Sequence, residues 1–291
     1  MSSQRRWATF SITIVSAGAL VIAGASPASA APIGLGDATS FSVLAGQTVT
    51  NTGPSVISGN VGVSPGSAVT NFPPGLVTAP ASIFTEGAAA GPKAALTTAY
   101  NAALAGPATV LASSELGTQI LLPGIYSSPD PFFQITGTLT LDGALDPNAV
   151  WIFRTASTLT TAGASVVFLD RAASACNVFW QIGSSATLGT TSTMVGTVMA
   201  LTSITATTGA NVTGRLLALD GAVTLDSNTI TTPAACIEAS SFSGPGGVPF
   251  PLLPASGLEL PWVAGSLSLV AVLAGATGVV LAARRRRAAQ F

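Results

Sequence analysis

Three kinds of short extended segment recur between Val150 and Thr232. The first kind is apolar on both sides: Val150-Trp-Ile-Phe-Arg154, Val178-Phe-Trp-Gln-Ile182, Val198-Met-Ala-Leu-Thr202 and Leu216-Leu-Ala-Leu-Asp220. The second kind alternates apolar with Thr: Ser157-Thr-Leu-Thr-Thr161, Ser185-Ala-Thr-Leu-Gly189, Ser203-Ile-Thr-Ala-Thr207 and Ala222-Val-Thr-Leu-Asp226. The third is Ala164-Ser-Val-Val-Phe168, Ser192-Thr-Met-Val-Gly196, Ala210-Asn-Val-Thr-Gly214 and Asn228-Thr-Ile-Thr-Thr232. The starts Val178, Val198 and Leu216 lie 20 and then 18 residues apart. Coils of this length with three short strands each predict a β-solenoid. Thr and Val suit a pleated surface, and Gly and Asn suit the corners. In the second strands, period-two alternation sends Ile204, Ala206, Val223 and Leu225 inward and Thr205, Thr207 and Thr224 outward. The first strands need a cover on their outer side.

Leu35 to Gly75 carries further short polar strands and reads as a first coil plus a cap, because solenoid ends are open sheet edges. Ile83 to Ala105 breaks the β pattern. Pro92 suits a first helical turn, Leu96, Tyr100, Ala103 and Leu104 share one face, and Gly106 can stop the helix. One helix is therefore expected, lying along the doubly apolar strands and held there by packing. Trp151 and Trp180 are expected beneath it, in the core. Leu121 to Tyr126 turns the chain back, and Thr136 to Asp142 forms another alternating strand.

Charge narrows the function. Charged residues make up only 7% of the 291, and there is no histidine. Between Ala31 and Ser256, Lys93, Arg154, Arg171 and Arg215 face ten acids, a net charge of −6 (4 − 10). No basic patch exists for nucleic acid, and the commonest general base and metal ligand is missing. Asp142, Asp146, Asp170, Asp220 and Asp226 lie scattered near turns, where carboxylates serve corner hydrogen bonds. Only a cleft gathering Asp220 and Asp226 beside Arg215 would suggest the acid chemistry of a polysaccharide lyase or hydrolase. No enzyme activity, metal or cofactor is expected. Cys176 and Cys236 are the only cysteines and read as one disulfide, with two free buried thiols as the alternative.

Both ends carry addressing patterns. Residues 1–30 read as a secretory signal peptide: Arg5 and Arg6, the apolar run Phe10 to Ala25, and the Ala28-Ser-Ala30 cleavage site. An uncleaved anchor is the alternative. Residues 31–237 form the solenoid domain and 238–252 a Ser/Gly/Pro linker. In residues 253–291, Leu253-Pro254-Ala255-Ser256-Gly257 precedes an uncharged stretch, Trp262 to Ala283, long enough to span a bilayer. Arg284 to Arg287 follow as a basic stop. This order resembles the LPxTG-type sorting signal of Gram-positive wall proteins, with Ser256 where Thr is usual. The resemblance implies a sortase that cuts between Ser256 and Gly257, and peptidoglycan as the final partner. A plain membrane anchor is the alternative. The expected location is outside the cell, on the wall or membrane surface.

The stretch from about Gly34 to Ile237 resembles the bacterial and fungal ice-binding-protein family. The likeness rests on Leu35-Gly-Asp-Ala-Thr-Ser-Phe-Ser-Val-Leu44, Ile57-Ser-Gly-Asn-Val-Gly-Val-Ser-Pro-Gly66, Leu122-Pro-Gly-Ile-Tyr126, Val150-Trp-Ile-Phe-Arg154, Asn177-Val-Phe-Trp-Gln-Ile-Gly183 and Asp226-Ser-Asn-Thr-Ile-Thr231. It implies a mainly β fold, a right-handed discontinuous β-helix of roughly triangular section with one flanking α-helix. It also implies a surface that adsorbs to ice, or ordered water, through Thr methyl and hydroxyl groups in ranks. The first-choice face is Thr158, Thr160, Thr187, Thr205, Thr207 and Thr224; the second is Thr193, Asn211, Thr213, Thr229 and Thr231. The competing reading is a wall-anchored adhesin on the same fold, which an exposed Trp151 or Trp180 would favour.

Overall fold

The computed structural model describes residues 30–233 and Cys236. The signal-peptide segment before Ala30, the linker, the sorting motif, the apolar span and the basic tail lie outside those residues. Among the described residues no helix is long and apolar enough to cross a membrane.

The chain winds as parallel strands on three faces around one apolar interior. The helix-covered face runs Thr109–Val110, Gly124–Ser127, Trp151–Thr155, Val178–Ile182, then the second halves of Thr193–Ala200 and Asn211–Ala218. The second face runs Phe132–Ile135, Thr158–Thr161, Ala186–Leu188, Ile204–Ala206 and Val223–Leu225. The third runs Ile120–Leu121, Thr138–Asp142, Val166–Asp170, the first halves of the two long strands, and Thr229–Thr231.

Two expectations about segmentation are corrected here. The third segment of one coil and the first of the next are single strands, Thr193–Ala200 and Asn211–Ala218. Gly196 (φ +101°) and Gly214 (φ +147°) turn the backbone from the third face onto the helix-covered face, in register with each other. A residue with a Cβ rarely adopts such φ values, so the strand can bend there without ending.

The amino-terminal strands do not begin the stack. Phe41–Ala45 pairs with Asn211–Ala218, Val43 opposite Leu216, and Thr48–Asn51 pairs with Val223–Leu225. Val56–Ile57 pairs with Thr229–Thr231. Asn60–Val63, Ala68–Thr70, Leu76–Val77 and Ile83–Thr85 form a further turn beyond them. The expected first coil thus sits on the last one, and Ile83–Thr85, expected to start the helical stretch, is a strand.

The helix Ala90–Ala103 then carries the chain back, about 21 Å at 1.5 Å per residue. Of the face expected from the spacing, Leu96, Tyr100 and Ala103 are buried, together with Pro92 and Ala99, but Leu104 caps the helix and is 50% exposed. At the carboxyl end the chain has already turned off the sheet. The helix covers Val150, Ile152, Phe179, Met199, Leu217 and Leu219. The residues between these point inward instead: Trp151, Phe153, Val178, Trp180, Val198 and Leu216. Each such buried side chain contributes about 1.5–3 kcal/mol relative to exposure. Trp151 and Trp180 are fully buried, with Nε1 donating to Leu121 O (3.1 Å) and Val195 O (2.9 Å). Phe153 stacks on Trp180 at 4.2 Å between centroids.

Three polar clamps hold the helix down. Tyr100 donates to Ile182 O (3.1 Å). Arg154 donates to Gly106 O (2.9 Å) and Ala105 O, cations being favoured at this end of a helix. Lys93 donates to Ala218 O (2.8 Å) and Leu219 O. Burial lowers the Lys93 pKa from 10.5 to about 8, against an opposing pull from Asp220. The unfolded chain therefore binds more protons than the folded one between pH 8 and 10.5, and stability rises with pH across that window. Lys93→Met should flatten this rise in melts recorded from pH 7.5 to 10.5. A parent and a variant that change in parallel would refute it.

Cys176 and Cys236 form the expected disulfide, with Cα atoms 4.9 Å apart and a separation of 60 residues. A closed loop of that size restrains the unfolded chain. Replacing both cysteines with serine should cost about 2–4 kcal/mol, read as a lower denaturant midpoint at unchanged slope.

Candidate functional site

The second face carries one unbroken rank of outward threonines. Register aligns Thr160 with Thr187, Thr187 with Thr205, and Thr205 with Thr224. It continues across the seam from Thr224 to Thr50 and on to Thr70. Gln134 lies at the other end, opposite Thr160. At about 4.8 Å per strand the six threonines span about 24 Å. The residues flanking the threonines from Thr160 to Thr224, and Thr50, are anchored in the core, whereas Val69 beside Thr70 is only partly buried. Leu159, Ala186 and Leu188, Ile204 and Ala206, Val223 and Leu225, and Val49 are all buried. Period-two alternation then leaves each Thr with one direction to point.

Polar neighbours leave this rank free. Among the described residues no hydrogen bond engages the hydroxyls of Thr50, Thr70, Thr160, Thr187, Thr205 or Thr224. Corner threonines differ: Thr207 donates to Leu188 O (2.7 Å) and Thr208 to Asp226 Oδ2 (2.5 Å). The Thr208 bond, with one from Ser227, holds the Asp226 carboxyl below its ordinary pKa. No charged side chain stands in the rank itself.

Of the six first-choice threonines, four share this line. Thr158 stands in a flanking column beside Phe132, and Thr207 lies just past the strand end. Thr50 and Thr70 belong to the line but were not among the expected residues. Their signal is the Thr48-Val-Thr-Asn51 and Ala68-Val-Thr70 alternation, which fits the second-strand pattern. The second-choice residues lie on the third face in two broken columns. Thr193, Asn211 and Thr229 align, but Val166 precedes them and Val56 and Leu76 follow. Thr213 and Thr231 align, next to Val195. Exposed Phe168, Ile120 and Leu76 interrupt this face further.

The charged groups are not gathered. Arg215 is buried against Thr39 O, whereas Asp220 is exposed and Asp226 is bound into its own corner. Asp142 pairs with Arg171 across two adjacent corner loops, Asp170 accepts from the Arg171 amide, and Asp146 from the Asn148 amide. Among the described residues no group of three or more His, Cys, Asp or Glu could hold a metal ion.

Comparison with known proteins places this geometry. Residues 43–231 match the family described as Ice-binding-like. An ice-binding protein of Nostoc sp. (strain HG1) is 50% identical over 201 residues, covering 68% of this chain and 73% of the relative. The crystal structure of an ice-binding protein from an Antarctic biological consortium superposes with a TM-score of 0.69 at 41% identity, covering 72% of this chain and 96% of that one. That of an ice-binding protein from the Antarctic ascomycete Antarctomyces psychrotrophicus gives 0.66 at 42%, covering 69% and 98%. A mainly β solenoid of parallel strands with one helix, matched along most of its length by such relatives, belongs to the ice-binding-like family.

Proposed function

We propose that this chain adsorbs to ice through the rank Thr160, Thr187, Thr205, Thr224, Thr50 and Thr70. The observation that carries the reading is the unbroken register of six unengaged Thr side chains on a parallel sheet. Each presents a methyl and a hydroxyl at a fixed spacing of about 4.8 Å. Water held on such a row is already ordered before it meets a crystal, so little ordering cost remains on adsorption. An uncharged row also avoids competing hydration. Relatives that are ice-binding proteins support the same reading.

The chain is proposed to act outside the cell. The Met1–Ala30 pattern supports export, and the Leu253–Gly257 motif with the apolar stretch and Arg284–Arg287 supports retention at the wall or membrane surface, with sortase and peptidoglycan as partners. Tethering would keep ice close to the cell rather than dispersing the protein. The test is ice-crystal shaping and thermal hysteresis by the purified protein. Faceted crystals are expected. A folded protein that neither shapes nor slows ice would sink the reading and leave an adhesin on the same scaffold.

A further inference from the structure

A cavity of about 100 Å³ lies where the amino-terminal segment crosses the disulfide. Leu35, Thr39, Phe179, Arg215 and the Cys176–Cys236 bridge line it. Its volume would hold several waters or one small organic anion. Arg215 is 2% exposed, and its guanidinium donates to Thr39 O from Nε (3.0 Å) and Nη2 (2.8 Å), and to Cys236 O at 3.5 Å. Carbonyls satisfy those donors but do not neutralise the charge. Among the described residues the one ion pair is Asp142–Arg171, so no described carboxylate balances Arg215. Burial draws its pKa down to about 10, and it still carries its charge at neutral pH. A buried charge ordinarily has a counter-charge. A second group in the same wall is unsatisfied: the buried Thr39 hydroxyl has no partner among the described residues.

We propose that this cavity binds a carboxylate, with the Arg215 guanidinium as its positive pole and the Thr39 hydroxyl as a second donor. With Nε and Nη2 engaged by carbonyls, Nη1 is the arm of the guanidinium left to donate to a carboxylate oxygen, beside the Thr39 hydroxyl. The apolar remainder of the wall, Leu35 and Phe179, suits a small hydrocarbon stem. The ligand class is a free small carboxylic acid. The site is independent of the threonine rank, which lies on a different face.

Thermal melts of the full-length chain in non-ionic detergent test this, comparing sodium formate with sodium chloride at equal ionic strength. Site occupancy predicts a saturable, formate-specific rise of about 3–8 °C. Arg215→Met should abolish the response. Arg215→Lys, the more conservative variant, should need at least about tenfold more formate. No formate-specific rise in the parent overturns the proposal, as does a response that Arg215→Lys leaves unchanged.

Discussion

Tyr at both Thr205 and Thr224 is expected to abolish ice shaping while the solenoid stays folded. The two positions are adjacent in the rank, opposite each other in register. Both are only half-buried and point away from the core, so the larger side chains have room and the strands keep their inward Ile204, Ala206, Val223 and Leu225. Two rings would stand above a surface whose other members project a single methyl and hydroxyl. They would also split the line into Thr160 and Thr187 on one side and Thr50 and Thr70 on the other. Adsorption depends on all members meeting one lattice together, so the halves do not sum to the whole. Losing even about 1.4 kcal/mol is tenfold in residence, and thermal hysteresis should fall by about tenfold or more. Thr213→Tyr on the third face is the control and should retain activity. Equal loss in both, or none in the double variant, would move the site away from this rank.

The largest expected loss of stability is at Gly214. A Cβ there would overlap the Gly196 carbonyl oxygen and stand 2.6 Å from its carbon, at a φ of +147°. Both obstacles are backbone, so no rotamer relieves them. The Gly214 carbonyl is itself engaged, accepting from Thr232 Oγ1 at 2.9 Å. Gly214→Val combines overpacking of about 3 kcal/mol with backbone strain of about 2 kcal/mol. A total near 5 kcal/mol is a large share of the stability of an ordinary domain. The melting temperature should drop by about 10–20 °C. Gly163→Ala, where the added carbon would meet only Thr190 O at 3.5 Å, should change little. A Gly214→Val protein melting within a few degrees of its parent would show that the corner is not rigid.

The coils from Val150 onward were legible because Thr and apolar residues alternate with period two, and a helix was legible because Leu96, Tyr100 and Ala103 do not. The inward set followed from the same alternation, and the disulfide from the presence of just two cysteines. Three things were not legible, each for a physical reason. A parallel strand carries no mark of which neighbour it pairs with, so Thr48–Asn51 reads as part of a first coil until its partner Val223–Leu225 is seen. Gly196 and Gly214 look like strand ends in sequence but act as bends within strands. Thr158 and Thr160 look equivalent, yet only register shows that Thr160 has a threonine opposite it while Thr158 has Phe132 on one side.

The seam sets the order in which the molecule can be made. Phe41–Ala45 leaves the ribosome early, but its partner strand ends at Ala218. The first coil must wait, with one edge open, for nearly the whole domain to follow. Repeat proteins usually fold by growth from any nucleus to its neighbour. Here growth from the amino terminus lacks one neighbour, and closing a chain loop of this length is slow. The middle coils can assemble first, and the early strands dock last, from the far end. Thr50 and Thr70 join the rank only at that step, so under the proposed function full ice activity would report that the chain has closed on itself.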